Sequence, residues 1–234
     1  MNWYKTAYNK MDSLATEYSR KVFDVFKEHY KNRKDDYSGY FKTIDVDPST
    51  GFRQIYIQIF PMLESKYLVS VQGSLLINKK DSSLKRIRTE ISYNSKKFSE
   101  KDFSKLIFKI KDSLRHEFEH LSQTDEYLDK EYVQSNPYGK LDEFLGYLSS
   151  GPELEARVAG MYYQAKKMKV SFLQILADYI EDIKRGFSSR CWANDIQDNI
   201  SGYYNKIDQI KNKMYNYAVK RYPNINKVEQ YELV

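Results

Sequence analysis

The spacing of apolar residues changes at Ser99, and this change constrains the fold of the chain more than any other feature. Between residues 52 and 93, apolar side chains recur at about every second position, which is typical of β-strands with one buried face. From Ser99 onward they recur about every third or fourth position, which is typical of amphipathic helices. A stretch of strands followed by helices predicts an α+β fold.

The strand-like part contains three runs separated by polar segments. A turn cluster, Asp47-Pro48-Ser49-Thr50-Gly51, precedes the first run, and a polar hairpin loop separates the second from the third. The runs are Phe52–Phe60, Lys66–Ile77 and Leu84–Tyr93, and the loop covers residues 78–83. We therefore expect a small antiparallel β-meander.

Helical patterns flank this meander on both sides. Residues 10–34 predict a first amphipathic helix, and Ser99 with Asp102 predicts the capped start of a second. A further helix is expected to begin near Pro152, because proline favours the first turn of helices. Two more are expected over residues 171–185 and 190–221. The expected architecture is one domain over residues 1–234: an N-terminal helix (1–35), a core of meander and packed helix (52–168) and an all-helical C-terminal part (171–222).

Composition excludes several classes of protein. The chain is 41% hydrophobic and 30% charged with 9 Gly and 5 Pro, so it is neither collagen-like nor a long disordered segment. The single cysteine, Cys191, excludes a disulfide framework and favours a reducing compartment. No apolar run is long enough for a membrane span, and the first residues lack the apolar core of a signal peptide. We expect a cytoplasmic protein that makes no membrane contact.

The chain is basic, with a net charge of +6 and a pI near 9.0. Basic residues are spread along the sequence and interleaved with acidic ones, which makes nucleic-acid binding the less favoured interpretation. The 22 tyrosines accompany many lysines and asparagines, as expected of an A/T-rich bacterial or phage genome.

The chemically informative motif is His116-Glu117-Phe118-Glu119-His120 within the helix that begins after Ser99. Histidines four residues apart lie on one helical face, so both imidazoles can reach one tetrahedral Zn²⁺ ion. A glutamate beside the first histidine can act as general base toward a metal-bound water. Two of the three histidines in the chain belong to this motif, which predicts a zinc site with Glu117 as the base.

A third protein ligand must come from elsewhere in the chain. No histidine follows His120, so a carboxylate from a later helix is the remaining choice. The segment around residues 147–160 fits because its small residues, Ala156, Ala159 and Gly160, allow close helix packing.

Glu153 and Glu155 compete for the role of third ligand. Glu153 stands in capping-box register with Ser150, which gives it a structural role. Glu155 lies among inward-facing residues, where an unpaired carboxylate would be costly. We favour Glu155, with Glu153 as the alternative and Glu126 as a distant third.

The motif resembles that of zincin metallopeptidases whose third ligand is a glutamate, the gluzincin-like type. His-Glu-Phe-Glu-His-Leu-Ser-Gln, followed by Tyr-Leu-Ser-Ser-Gly-Pro-Glu-Leu-Glu-Ala, is similar to segments of small zincin-like proteins of phages and bacteria. The resemblance covers about residues 52–168. It implies zinc bound by His116, His120 and Glu155, with Glu117 as general base. Glu119 and the extra Gly151 depart from the usual pattern.

These observations predict a zinc-dependent metallopeptidase that acts on a peptide or protein substrate in the host cytoplasm or a virion. Tyr162 and Arg157 are the preferred candidates for stabilising an oxyanion or binding substrate, with Tyr147 and Tyr163 as further candidates. By analogy with zincins, the strand Leu84–Tyr93 would pair with an extended peptide. The alternatives are a catalytically silent zincin-like structural or interaction protein and, less favoured, a basic nucleic-acid-binding protein.

Overall fold

The structure, a computed structural model, describes residues 3–32, 39–50, 52–64, 67–78, 81–121, 123, 141–187, 200–222 and 225. The chain divides into two compact units, Met1–Ser122 and Gln123–Val234, which are described in turn. The single domain over residues 1–234 stays a prediction.

The first unit contains a four-stranded sheet and two long helices. Its elements are α1 (Trp3–Asn32), β1 (Tyr40–Asp45), β2 (Gln54–Met62), β3 (Val69–Asn78), β4 (Asp81–Asn94) and α2 (Phe103–Leu121). Strands lie in the N-terminal half and helices follow them, so the α+β class is confirmed. Strand β1 has no counterpart among the predicted runs, and β3 and β4 extend into the predicted loop of residues 78–83, where Asn78 pairs with Asp81.

The strand order is β1-β2-β4-β3, and the sheet is mixed. Antiparallel pairing joins β1 to β2 and β3 to β4, whereas β2 and β4 run parallel. The expected antiparallel meander is therefore wrong in one pairing. The prediction that the strand Leu84–Tyr93 pairs with a peptide at the sheet edge is also wrong. This segment lies in β4, which pairs with β2 on one side and with β3 on the other. Among the described strands, β3 is the edge nearest α2.

One face of the sheet packs against both helices of the first unit. The alternating residues Ile55, Ile57 and Ile59 of β2 are fully buried or nearly so. From α1, Tyr18 and Phe26 join the same hydrophobic core. The apolar stripe of α2 completes this core with Leu106, Ile110, Leu114 and Phe118. This packing fixes which face of α2 points toward the sheet.

The start of α2 matches the prediction from sequence. The backbone N–H of Ser99 donates to Asp102 Oδ2 at 3.0 Å, and the Ser99 hydroxyl lies at the same distance from that oxygen. A short 3₁₀ turn, Glu100–Asp102, then leads into the helix. The change of period at Ser99 therefore marks a real boundary between sheet and helix.

The second unit is helical over its described residues. Its helices are α3 (Leu141–Ser149), α4 (Gly151–Met168), α5 (Phe172–Phe187) and α6 (Ile200–Arg221). Pro152 is buried in the first turn of α4, and Lys169 ends that helix in a left-handed conformation with φ 55°. Cys191 lies outside the described residues. None of the described helices combines the length and apolar character needed to cross a membrane.

Candidate metal centre

His116 and His120 stand one turn apart near the end of α2, and their Nε2 atoms are 3.2 Å from each other. The rings are nearly perpendicular, with an interplanar angle of 88°. Two nitrogens bound at about 2.0–2.1 Å to a tetrahedral zinc ion lie about 3.3–3.4 Å apart. The observed separation is close to that value, so the two imidazoles fit one zinc ion. His120 is buried and His116 is partly exposed.

Glu117 lies beside the histidine pair. It is only 4% exposed, and its Oε1 is 3.9 Å from His116 Nε2. A carboxylate at this distance from a potential metal-binding nitrogen can reach a water held at the open coordination position. The structure therefore places the predicted base next to a predicted ligand within the same unit.

Gly73, in the middle of β3, adjoins the side chain of Glu117. A Cβ atom built at residue 73 would lie 2.7 Å from Glu117 Cγ, 2.7 Å from Ser113 Oγ and 2.8 Å from Glu117 Oε1. No side chain fits at this position without a shift of its neighbours. Sequence reasoning missed Gly73, although an isolated glycine within a strand pattern signals a close approach.

Arg115 and Glu119 form an ion pair on α2 that sequence reasoning also missed. Arg115 Nη1 donates to Glu119 Oε2 at 2.7 Å, and their side chains are 0% and 2% exposed. Their spacing of four residues with opposite charges is the signal that predicts such a pair. The acidic residue that departs from the zincin pattern therefore has a partner one turn earlier on the same helix.

In the second unit, the carboxylate of Glu153 is fully buried in the first turn of α4. Tyr147 Oη donates a hydrogen bond to Glu153 Oε2 at 2.6 Å, and Arg157 Nε donates to Oε1. The predicted capping box is wrong, because the Ser150 hydroxyl donates to the carbonyl of Tyr147 instead. Glu153 is thus an inward-facing carboxylate whose orientation two side chains fix.

The charge of Arg157 is coupled to this carboxylate. Burial disfavours the guanidinium charge, but Glu153 more than compensates, and the pKa of Arg157 lies well above its usual value. Arg157 therefore stays protonated at any physiological pH.

Glu155 is half-buried and points to a different partner. Its Oε2 accepts a hydrogen bond from Gln123 Nε2 at 3.2 Å, and the same amide donates to the carbonyl of Pro152 at 3.1 Å. Gln123 is the last residue of the segment His-Glu-Phe-Glu-His-Leu-Ser-Gln, and its side-chain amide binds two oxygens in the first turn of α4. Glu126 lies outside the described residues.

The remaining predicted site residues are engaged in packing or in holding Glu153. Tyr162 stacks on Tyr222 with ring centroids 4.0 Å apart, and burial raises its pKa. Tyr163 is buried. Tyr147 and Arg157 both bind Glu153, so their polar groups support a carboxylate.

Comparison with known proteins yields no relative for this chain. No protein-family model, curated protein or solved structure matches it. Its functional interpretation therefore depends on the residues and geometry described above.

Proposed function

We propose that the chain is a zinc-dependent hydrolase of peptide bonds, with His116 and His120 as zinc ligands and Glu117 as general base. The 3.2 Å separation between the two Nε2 atoms carries the proposal. The buried carboxylate of Glu117 beside them supports a hydrolytic role rather than a purely structural metal site.

Glu153 is our candidate for the third ligand. It is a carboxylate on a helix that follows His116 and His120 in the chain, and its side chain is fully buried. Two imidazoles and one glutamate are the donor set of a catalytic zinc site with an open fourth position. Because Glu153 is buried and held by Tyr147 and Arg157, it also has the outer partners that orient ligands in such sites.

Glu155 remains the alternative that the resemblance implies. Its hydrogen bond from Gln123 is compatible with a supporting role at the start of α4. Its partial exposure reduces the energetic need for a metal partner compared with Glu153. We therefore prefer Glu153 as the third ligand. Zinc binding by variants of the two glutamates would show whether Glu155 is the ligand instead.

His116 and His120 would hold the zinc ion, which would lower the pKa of a bound water and polarise the scissile carbonyl. Glu117 accepts the proton of the attacking water on its carboxylate and delivers it to the leaving amine. The surrounding core holds this carboxylate in an environment that is nearly closed to solvent, which strengthens its electrostatic interactions. Tyr147 and Arg157 keep Glu153 oriented.

Strand β3 is the structural element that best suits an extended peptide substrate. Among the described strands it pairs only with β4, and the other side of such a strand suits pairing with an extended peptide. Gly73 brings this strand directly against Glu117. A peptide paired with β3 would therefore run close to the proposed base.

The first test is zinc content combined with peptide hydrolysis. Protein purified without added zinc should contain about one equivalent, and a His116→Ala/His120→Ala double variant should contain none. The matched control, His29→Gln, alters the remaining histidine, which stacks on Tyr40, and should keep its zinc. Absence of zinc from the unaltered protein would contradict the proposal.

The second test separates catalysis from a silent metal site. Glu117→Gln preserves shape and should retain zinc, but lower kcat on a peptide library about 10²–10⁴-fold because the base is lost. Unchanged hydrolysis in this variant would contradict the role of Glu117. Absence of hydrolysis in the unaltered, zinc-loaded protein would favour a zincin-like interaction protein.

A further inference from the structure

The inward face of β3 has one gap in an otherwise apolar row. Val69 is buried, and Val71 and Leu75 pack against the hydrophobic core, whereas Gly73 between them has no side chain. A glycine in the middle of a strand weakens it, because it loses more backbone entropy on folding and contributes no packing. A compensating reason for glycine is therefore expected at this position.

The neighbours of the missing side chain supply that reason. An added Cβ would approach Glu117 Cγ and Ser113 Oγ to 2.7 Å and Glu117 Oε1 to 2.8 Å, all closer than van der Waals contact allows. Glu117 and Ser113 stand one turn apart on α2, so both project toward the same point of the strand. The space that a side chain would fill is taken by the carboxylate arm of Glu117.

We propose that Gly73 is a positioning residue whose bare backbone holds the Glu117 carboxylate in place beside His116. This inference rests on the proposed function of Glu117 as a general base. It adds that β3 determines where the carboxylate lies and that any side chain at residue 73 displaces it.

The two close contacts respond differently to a new Cβ atom. The Ser113 hydroxyl can turn to another rotamer without moving the helix. Glu117 Cγ lies in the middle of its side chain, so relief of that contact moves the whole carboxylate. A displacement of about 1 Å at a catalytic group can lower the rate about 10²-fold.

A double-mutant cycle in the metal-free protein tests the contact independently of activity. Gly73→Ala should lower the denaturant midpoint, and most of that loss should disappear in a Glu117→Ala background. The loss of midpoint caused by Gly73→Ala should persist in a Ser113→Ala background. Gly146→Ala is the matched glycine control, because an added Cβ there meets nothing within 4 Å, and it should not lower the midpoint.

The two backgrounds keep the test informative even if Gly73→Ala does not fold. Folding of Gly73→Ala/Glu117→Ala in that case would support the proposal strongly. Equal losses in the Glu117→Ala and unaltered backgrounds would overturn it, as would failure of both Gly73→Ala and Gly73→Ala/Glu117→Ala to fold. The same cycle stands if the unaltered protein proves to lack zinc or hydrolytic activity, so the two failures are distinguishable.

Kinetics of the zinc-loaded protein provide the second measurement. Gly73→Ala should retain one zinc per chain and an unchanged KM, but lower kcat about tenfold or more, with a shifted acid limb of the pH profile of kcat/KM. Gly146→Ala should match the unaltered protein. Full kcat with an unshifted profile in Gly73→Ala would overturn the positioning role.

Discussion

Tyr147 donates a 2.6 Å hydrogen bond from its phenol to Glu153 Oε2, linking the end of α3 to the first turn of α4. The carboxylate that receives this bond is fully buried and also binds Arg157. Buried carboxylates are costly unless they are paired and hydrogen-bonded, and both conditions hold for Glu153. The arrangement suits a ligand whose direction must be fixed before a metal binds.

Tyr147→Phe removes one of the hydrogen bonds that orient Glu153. We expect zinc affinity to fall about 10–100-fold, as is typical when an outer partner of a ligand is lost. Competition with a chelator of known affinity measures the change. Tyr56→Phe is the matched control, because its phenol donates to Gln54 on the sheet. An unchanged affinity in Tyr147→Phe would show that this bond does not support a ligand.

Exchanging each candidate carboxylate for its amide identifies the third ligand. Glu153→Gln should weaken zinc binding more than about 100-fold, which exceeds the usual loss for an outer partner. Glu155→Gln should bind zinc nearly as well as the unaltered protein, because the amide oxygen can still accept the bond from Gln123. The reverse pattern would assign the ligand role to Glu155, as the resemblance implies.

The buried ion pair on α2 makes a separate prediction about stability. Arg115→Met removes one partner of a buried ion pair, and this change typically lowers the free energy of unfolding by about 3–5 kcal/mol. Arg115→Met/Glu119→Leu removes both charges and should recover most of that loss. Chemical denaturation of the metal-free variants measures both effects. If the double variant is no more stable than Arg115→Met, the ion pair is not the source of the loss.

Tyr162 should act as a packing residue that makes the stability of the fold depend on pH in the alkaline range. Burial raises its pKa above the usual value near 10, so the stability it contributes is present below pH 10 and lost as the pH rises through the raised value. Tyr162→Phe should reduce the loss of thermal stability between about pH 9 and 11. The kcat of the Tyr162→Phe variant at neutral pH should stay within about threefold of that of the unaltered protein, because the phenylalanine ring can still stack on Tyr222. A larger fall in kcat would return Tyr162 to the role of oxyanion donor.

Sequence alone predicts the parts of the fold that depend on local spacing. The start of α2, the buried face of β2 and the juxtaposition of His116 and His120 follow from periods of two and about 3.6 residues. The same rules could not predict the parallel pairing of β2 with β4, because an alternating strand buries the same residues whichever direction its neighbour runs. The interpretation of Leu84–Tyr93 as an edge came from the analogy with zincins, and it failed because β2 pairs along the side of β4 that β3 leaves open.

The sequence likewise could not predict which partners the individual polar side chains contact. Glu153 matched a capping box by spacing, but its orientation depends on Tyr147, which belongs to the preceding helix. Gly73 carried a signal only as a glycine within a strand, and its neighbour Glu117 lies 44 positions further along the chain by residue number. Local spacing identifies which residues face inward but not which of them meet.

Because the arm of Glu117 fills the space above Gly73, these two positions should covary through evolution. Related chains that keep the glutamate are expected to keep glycine at residue 73 and to accept the weaker strand. Lineages in which the glutamate is replaced by a small residue lose that restriction, and valine or isoleucine would then complete the inward row of β3. A side chain at position 73 would therefore serve as a sequence marker for relatives that have lost the proposed general base while retaining the fold.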